Sequence, residues 1–225
     1  QAGSEMAKKI ISELQPFHDI PMIRDMLEEV GAQPEDIHAI ACDVGPGSFT
    51  GIRIGVSTAR ALAQIWGVPC IKVSSLSSAL LKKRPEGMDF SDTTVCVILN
   101  ARRRQVYGFI DGYLEEGPWM IDDVIRIAKE EIRGSSEILF YGDGVDSYGE
   151  ILKEAFEGTE VRYRFAPEEI RYQDACEIAR VGLLRFSDGQ TVEYKDLLPE
   201  YMREAEAETK LKAGQLPISR LPKQE

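Results

Sequence analysis

Gly45-Pro46-Gly47-Ser48-Phe49-Thr50-Gly51 leads without a break into Ile52-Arg53-Ile54-Gly55-Val56-Ser57-Thr58-Ala59-Arg60-Ala61-Leu62-Ala63. Before it, Ile37-His38-Ala39-Ile40-Ala41-Cys42-Asp43-Val44 has the mixed apolar pattern of a largely buried strand. The order is therefore strand, loop, helix. The loop holds three glycines in seven positions, which admits positive φ and lets another backbone come close. Ser48 or Thr50 is placed to cap the helix, whose first amides then point back over the loop, an arrangement that attracts anions. Gly45, Gly47, Ser48, Thr50 and Gly51 are thus candidate contacts for a nucleotide phosphate. The loop lacks the Gly-Lys-Ser/Thr ending of a P-loop, so the alternative is an ordinary strand-to-helix turn.

Along the helix, Gly55, Ala59 and Ala63 recur at i, i+4 and i+8 and form a smooth stripe where a second backbone can approach. Ile52, Val56, Leu62 and Trp66 stand beside the stripe at helical spacing. Either both faces pack inside the domain or one of them is a protein interface.

These residues resemble the signature of the bacterial TsaB (YeaZ) family. Other stretches agree with it in the same order: Pro21-Met22-Ile23-Arg24-Asp25-Met26-Leu27-Glu28-Glu29-Val30-Gly31, then Ala101-Arg102-Arg103-Arg104-Gln105-Val106-Tyr107, then Leu198-Pro199-Glu200-Tyr201-Met202-Arg203 with Ala205-Glu206-Ala207-Glu208. Gly142-Asp143-Gly144 is similar to the family's Gly-Asp-Gly turn, whereas Asn100 stands where the family usually has Asp. The resemblance implies an α/β chain with the two-lobed actin-like ATPase (ribonuclease H-like) fold. It also implies a subunit of the machinery that places threonylcarbamoyl on the adenosine beside the anticodon of certain tRNAs. Such a subunit is non-catalytic and pairs through helices with a TsaD-type enzyme, with a TsaE-type ATPase in the same complex. ATP and magnesium then belong to the partner subunits, no cofactor belongs to this chain, and tRNA is met only indirectly. Carried onto this sequence, the partner-binding residues are Met22, Ile23, Met26, Leu27, Ile54, Val56, Ala59, Leu62 and Ala63. A homodimer through the same helices is the competing state. Ala59→Arg is expected to abolish association and leave the fold intact.

The family opens with strands that carry an Ile-Asp-Thr-Ser type sequence, and no such stretch stands ahead of Pro21. The N-terminal lobe is therefore expected to be incomplete, with an unpaired sheet edge that another chain would cover or that would make the protein poorly soluble. Instead, Ser4–Leu14 reads as a short amphipathic helix interrupted by Pro16. A second helix is expected over 19–30, with Asp19 as cap, Pro21 in the first turn and Gly31 as the stop. Residues 1–90 are assigned to the N-terminal lobe, with the 198–225 tail packing back on it, and 91–197 to the C-terminal lobe. The boundary is the turn Lys82-Lys83-Arg84-Pro85-Glu86-Gly87.

Beyond the organising helix, strands are expected over 68–73, 95–99, 105–110, 137–141 and 161–165. Helical segments are expected over 76–81, 121–132, 148–156 and 172–186. The hairpin between 95–99 and 105–110 projects Arg102, Arg103 and Arg104 at its turn, read either as an RNA contact or as solvated charges balanced by nearby acids. Asp143 reads as a turn former rather than a metal ligand.

A formal charge of -11 excludes nucleic-acid binding by a broad basic face. The four cysteines, at 42, 70, 96 and 176, lack Cys-x-x-Cys spacing and suit small core positions in a reducing compartment. No stretch approaches the ~18 apolar residues of a membrane span, and the expected location is cytoplasmic. Two alternatives to the partner-subunit reading are an ATP- and metal-dependent threonylcarbamoyl or carbamoyl transferase of the same fold and an M22-type glycoprotease-like peptidase. The two histidines, His18 and His38, form no metal motif and offer little from which to build a protease triad, so no catalytic or metal-ligating residue is assigned.

Overall fold

The computed structural model describes residues 19–82, 92–132 and 137–202. The Ser4–Leu14 helix, His18, most of the Lys82–Gly87 turn and the tail from Ala205 lie outside the described residues.

Helix α1 (Asp19–Glu29) is followed by strand β1 (Ile40–Gly45), helix α2 (Phe49–Trp66) and strand β2 (Cys70–Ser74). β1 and β2 pair in parallel, Ile40 opposite Cys70 and Asp43 opposite Val73. The crossover between them is α2, as a parallel pair requires. Ser48 caps α2, its Oγ accepting the Gly51 amide, and Gly67 ends it at φ 68°. Val44, Val56, Ala59, Ala63, Cys70 and Leu197 form the core of this lobe.

The second lobe is a five-stranded sheet in the order β5-β4-β3-β6-β7. β3 (Thr93–Asn100), β4 (Gln105–Ile110) and β5 (Leu114–Met120) form an antiparallel meander, and β6 (Glu137–Tyr141) and β7 (Tyr163–Phe165) extend it in parallel. Between them run α3 (Ile121–Glu130) and α4 (Gly144–Phe156). β3 is buried on both faces, so its sequence is continuously apolar instead of alternating. Cys96 and Ile98 pack under α3 and α4, while Val95, Val97 and Leu99 face Leu76, Ala79 and Tyr141.

α5 (Glu168–Arg171) and α6 (Ala175–Ser187) close the described fold. Two features correct the sequence-based boundaries. α6 falls in the 91–197 span assigned to the second lobe, yet it packs on β1 and β2 of the first. Its Gly182 lies so close to β1 that an added Cβ would come within 2.4 Å of the Ala41 Cβ. The expected 148–156 helix starts earlier, at Gly144, because Asp143 can enter the helix while its carboxylate turns away to accept the Asn100 amide.

Polar contacts tie Glu116 of the second lobe to the first, and Lys82 to the segment that leads into α6. Glu116 on β5 accepts the Ser74 hydroxyl at 2.6 Å and the Ser77 amide at 2.9 Å. Lys82, buried, donates to the Tyr172 carbonyl and holds its Nζ 3.5 Å from Glu177 Oε2 on α6. That oxygen has no hydrogen bond, so the pair is held by charge alone.

Candidate functional site

Two surfaces carry the residues singled out from the sequence: the glycine loop, and the faces of α1 and α2. At the loop, Gly45 adopts φ 111°, a backbone shape that L side chains rarely take. The chain's own C-terminal segment lies against it. The Glu200 amide donates to the Val44 carbonyl at 2.8 Å, and the Glu200 carbonyl sits 3.1 Å from where a Cβ on Gly45 would be. Tyr201 stacks on Phe49 with ring centroids 4.6 Å apart, and Arg53 covers Phe49 while donating to the Tyr201 hydroxyl at 2.9 Å. Close backbone approach is therefore what Gly45 serves on this side, and the approaching backbone belongs to the same chain. Ser48, one of the five candidate phosphate contacts, is spent on the α2 cap.

Beneath the loop, Asp43 accepts two contacts from the Ser75 hydroxyl, at 2.7 and 2.8 Å, and the Gly45 amide at 2.8 Å. Burial nevertheless raises its carboxyl above the usual range, outweighing those hydrogen bonds, and the charge of Glu116 adds to the rise. The neighbouring Cys42 thiol is pushed up to about 12 by burial. It is a buried core residue held as the thiol. Among the described residues, no group of three His, Cys, Asp or Glu side chains is placed to hold a metal ion.

The nine candidate partner-binding residues divide by exposure. Met22 (69% exposed), Met26 (57%) and Ile54 (39%) stand in solvent on the outer faces of α1 and α2, and Val30 is also exposed. Ile23 and Leu27 are half-buried. Val56, Ala59, Leu62 and Ala63 are buried, and three of them belong to the core of the first lobe. Val56 and Ala63, placed in the sequence-based set as contacts, are packed into the core of the first lobe and are not on its exposed surface. Arginine at Ala59 would break the core instead of merely blocking association. Helical spacing marked the apolar positions, but it did not say which apolar face turns inward.

A large apolar groove of about 1050 Å³ runs between α1, β1, α2 and α6. Leu27, Ala59, Leu62, Ile178 and Leu183 are among its walls, and the edge of β1 that does not face β2 borders it. Among the described strands, none pairs with that edge. Trp66 lines the groove too, and its buried indole N–H has no hydrogen-bond partner.

The Arg102–Arg104 turn and the exposed α6 side chains Leu183 and Leu184 were not assigned to a site from the sequence. Leu183 and Leu184 prove 66% and 56% exposed, which adjacent leucines in a helical segment do not reveal from the sequence alone.

A family model described as TsaD, tRNA N6-adenosine threonylcarbamoyltransferase, matches residues 18–211. The protein named tRNA threonylcarbamoyladenosine biosynthesis protein TsaB from Escherichia coli (strain K12) is 31% identical over 199 residues, covering 85% of this chain and 82% of the relative. The protein of the same name from Bacillus subtilis (strain 168) is 28% identical over 204 residues, covering 85% and 80%. Among solved structures, YeaZ from Pseudomonas aeruginosa matches with a TM-score of 0.61 at 24% identity over 81% of each chain. A Pseudomonas aeruginosa protein described as similar to peptidase YeaZ matches with the same score and identity over 82% of each chain. These neighbours establish the actin-like, ribonuclease H-like α/β fold.

Proposed function

The chain belongs to the TsaB (YeaZ) family, and from that membership we propose that it is the non-catalytic subunit that binds and activates a TsaD-type enzyme for threonylcarbamoylation of the adenosine next to the anticodon in tRNA. The observation that carries the reading beyond family membership is the apolar surface of α1 and α2. Met22, Met26 and Val30 on and just after α1 and Ile54 on α2 are large and exposed, in a chain whose charge is otherwise strongly acidic. A subunit of this kind acts by favouring the active arrangement of its partner, through contacts made in that arrangement and weaker in others. ATP and magnesium are then handled by the partner subunits, with a TsaE-type ATPase in the complex. Two copies of this chain using the same apolar face would compete with the enzyme for it.

The test is a purified threonylcarbamoylation mixture containing the TsaD-type enzyme, the companion ATPase, a threonylcarbamoyl-adenylate source and tRNA, with this chain added or left out. Product is expected only when the chain is added, and none from the chain alone. Met26→Arg and Ile54→Arg, both at exposed positions, are expected to lower activation at least about tenfold, the effect of burying an unpaired charge at an interface core. Their thermal stability should stay within about 0.5 kcal/mol of the parent chain. Equal product with and without the chain would sink the reading.

A further inference from the structure

Strand β1 has a partner on one side only. The Ile40 amide donates to the Pro69 carbonyl at 3.0 Å, and Ile40 lies opposite Cys70. Because a parallel ladder uses alternate residues, the amides of Ile40 and Cys42 face β2, and those of Ala41 and Asp43 face the open side. Among the described strands none pairs with them.

The helices reach past this edge. Cys42 packs with Val56 and Ala59 of α2, whereas Ala41, on the opposite face, meets Gly182 of α6. β1 is thus sandwiched, and α2 and α6, with α1 beside α2, continue beyond the strand as the walls of the groove. Ile23 and Leu27 of α1 and Ile178 and Ala179 of α6 line it, and a Cβ built on Gly55 of α2 meets nothing within 4 Å. The space has the layout of a sheet position, with a helix layer on each face and a strand edge along one side.

Two features say what belongs there. The buried Trp66 N–H and the outward amides of Ala41 and Asp43 call for hydrogen-bond acceptors, which a hydrocarbon chain lacks and an extended peptide supplies as a row of carbonyls. Both walls are apolar, so a strand between them must be apolar on both faces and read as a continuous run, as β3 does. Outside the described residues, none of 1–18, 83–91, 133–136 and 203–225 has more than two consecutive apolar residues. A second copy of the chain is no better suited. Its β1 edge is recessed between the same walls, its β5 carries Glu115, Glu116 and Pro118, and its β7 is three residues long and includes Arg164.

We propose that the groove is a strand-acceptor site: a partner polypeptide inserts an extended segment, apolar on both faces, that hydrogen-bonds along the Ala41–Asp43 edge of β1 between α1 and α2 on one side and α6 on the other. The site is additional to the enzyme-activating surface and independent of it, since that surface is the outer faces of α1 and α2 and this one is a sheet edge.

The probe is a synthetic peptide of alternating valine and isoleucine flanked by lysines. Its control is the same peptide N-methylated throughout the apolar run, which keeps every side chain and loses the backbone donors. Added to the whole chain, the first peptide is expected to raise the melting temperature as its concentration rises. At about ten times its Kd it should slow hydrogen exchange at the Ala41 and Asp43 amides about tenfold, by the factor 1 + [L]/Kd. Leu183→Glu, at an exposed wall position, should raise that Kd at least about tenfold and leave the melting temperature of the free chain unchanged. Equal effects from the N-methylated control would reveal an apolar cleft without strand pairing and overturn the proposal. So would binding that leaves exchange at Ala41 and Asp43 unaltered, or no binding up to about millimolar peptide. Protection of those amides in the free chain that grows with protein concentration would assign the edge to a second copy, which also overturns it.

Discussion

Asp43 sits at the meeting point of loop, strand and lobe boundary, and its protonation makes a residue-scale prediction. Burial raises its carboxyl, so between the unfolded value near ~3.9 and the raised folded value the native state holds more protons than the unfolded chain. Stability attributable to this group is therefore greatest below the unfolded value and is lost as pH rises through the folded one. At neutral pH the ionised group is a net cost. Asp43→Asn keeps an acceptor for the Ser75 hydroxyl and the Gly45 amide and removes the half-buried charge. It is expected to melt at or above the parent temperature at pH 7, with the difference shrinking below about pH 4. A melting curve that falls at pH 7 and recovers in acid would show that the charge itself is stabilising. The Arg102–Arg104 turn belongs to the same scale, since all three residues have positive φ and each left-handed non-glycine residue costs roughly 1–2 kcal/mol.

At the scale of elements, two glycines of similar sequence context behave oppositely because of what crosses them. Gly182 on α6 meets β1, where a methyl group would overlap the Ala41 Cβ, and nothing flexible is there to yield. Gly182→Ala is expected to destabilise by about 1–3 kcal/mol through overpacking, read as a lower denaturant midpoint with unchanged slope. Gly55 on α2 meets nothing within 4 Å. Gly55→Ala should stabilise by roughly 0.5–1 kcal/mol through helix propensity. A loss of stability there would mean that another backbone packs on the stripe. Secondary structure at this scale was legible where local chemistry decides it: the strand, loop and helix over 40–66, the hairpin at 102–104, and the strand at 137–141. β5 was not, because Leu-Glu-Glu-Gly-Pro-Trp-Met carries charges, Gly and Pro. It is a strand because it lies at the sheet edge, where Pro118 need not donate to a neighbour.

For the whole molecule, the groove between α1, β1, α2 and α6 is the dominant surface feature. A chain of these 225 residues is expected to raise the fluorescence of an apolar dye such as anilinonaphthalene sulfonate in native buffer while melting cooperatively. Leu183→Glu, at an exposed wall position, should reduce that signal without loss of fold. No dye response in the parent chain would mean that the groove closes in solution. The two lobes do not divide the chain at one point. α6 and the segment around Glu200 return to the first lobe, so contacts among β1, β2, α6 and 197–202 form a unit whose members are far apart in sequence. Among the described residues, no helix is long and apolar enough to cross a membrane.

The sequence by itself determined most of the elements, β5 excepted, because periodicity, caps and glycine turns act within a few residues of one another. It also determined the family, because four motifs stand in one order along the chain. It located the apolar positions of α1 and α2 but could not orient them. Val56 and Ala63 turn inward, while Met22, Met26 and Ile54 turn out, because of where β1, β2 and Leu197 lie. Only the tertiary structure decided that, along with the backbone seated on Gly45 and the left-handed arginine turn. Each of these depends on contacts between residues separated by long stretches of chain, or on a φ set by the sheet on either side of a turn, and neither is encoded in local composition.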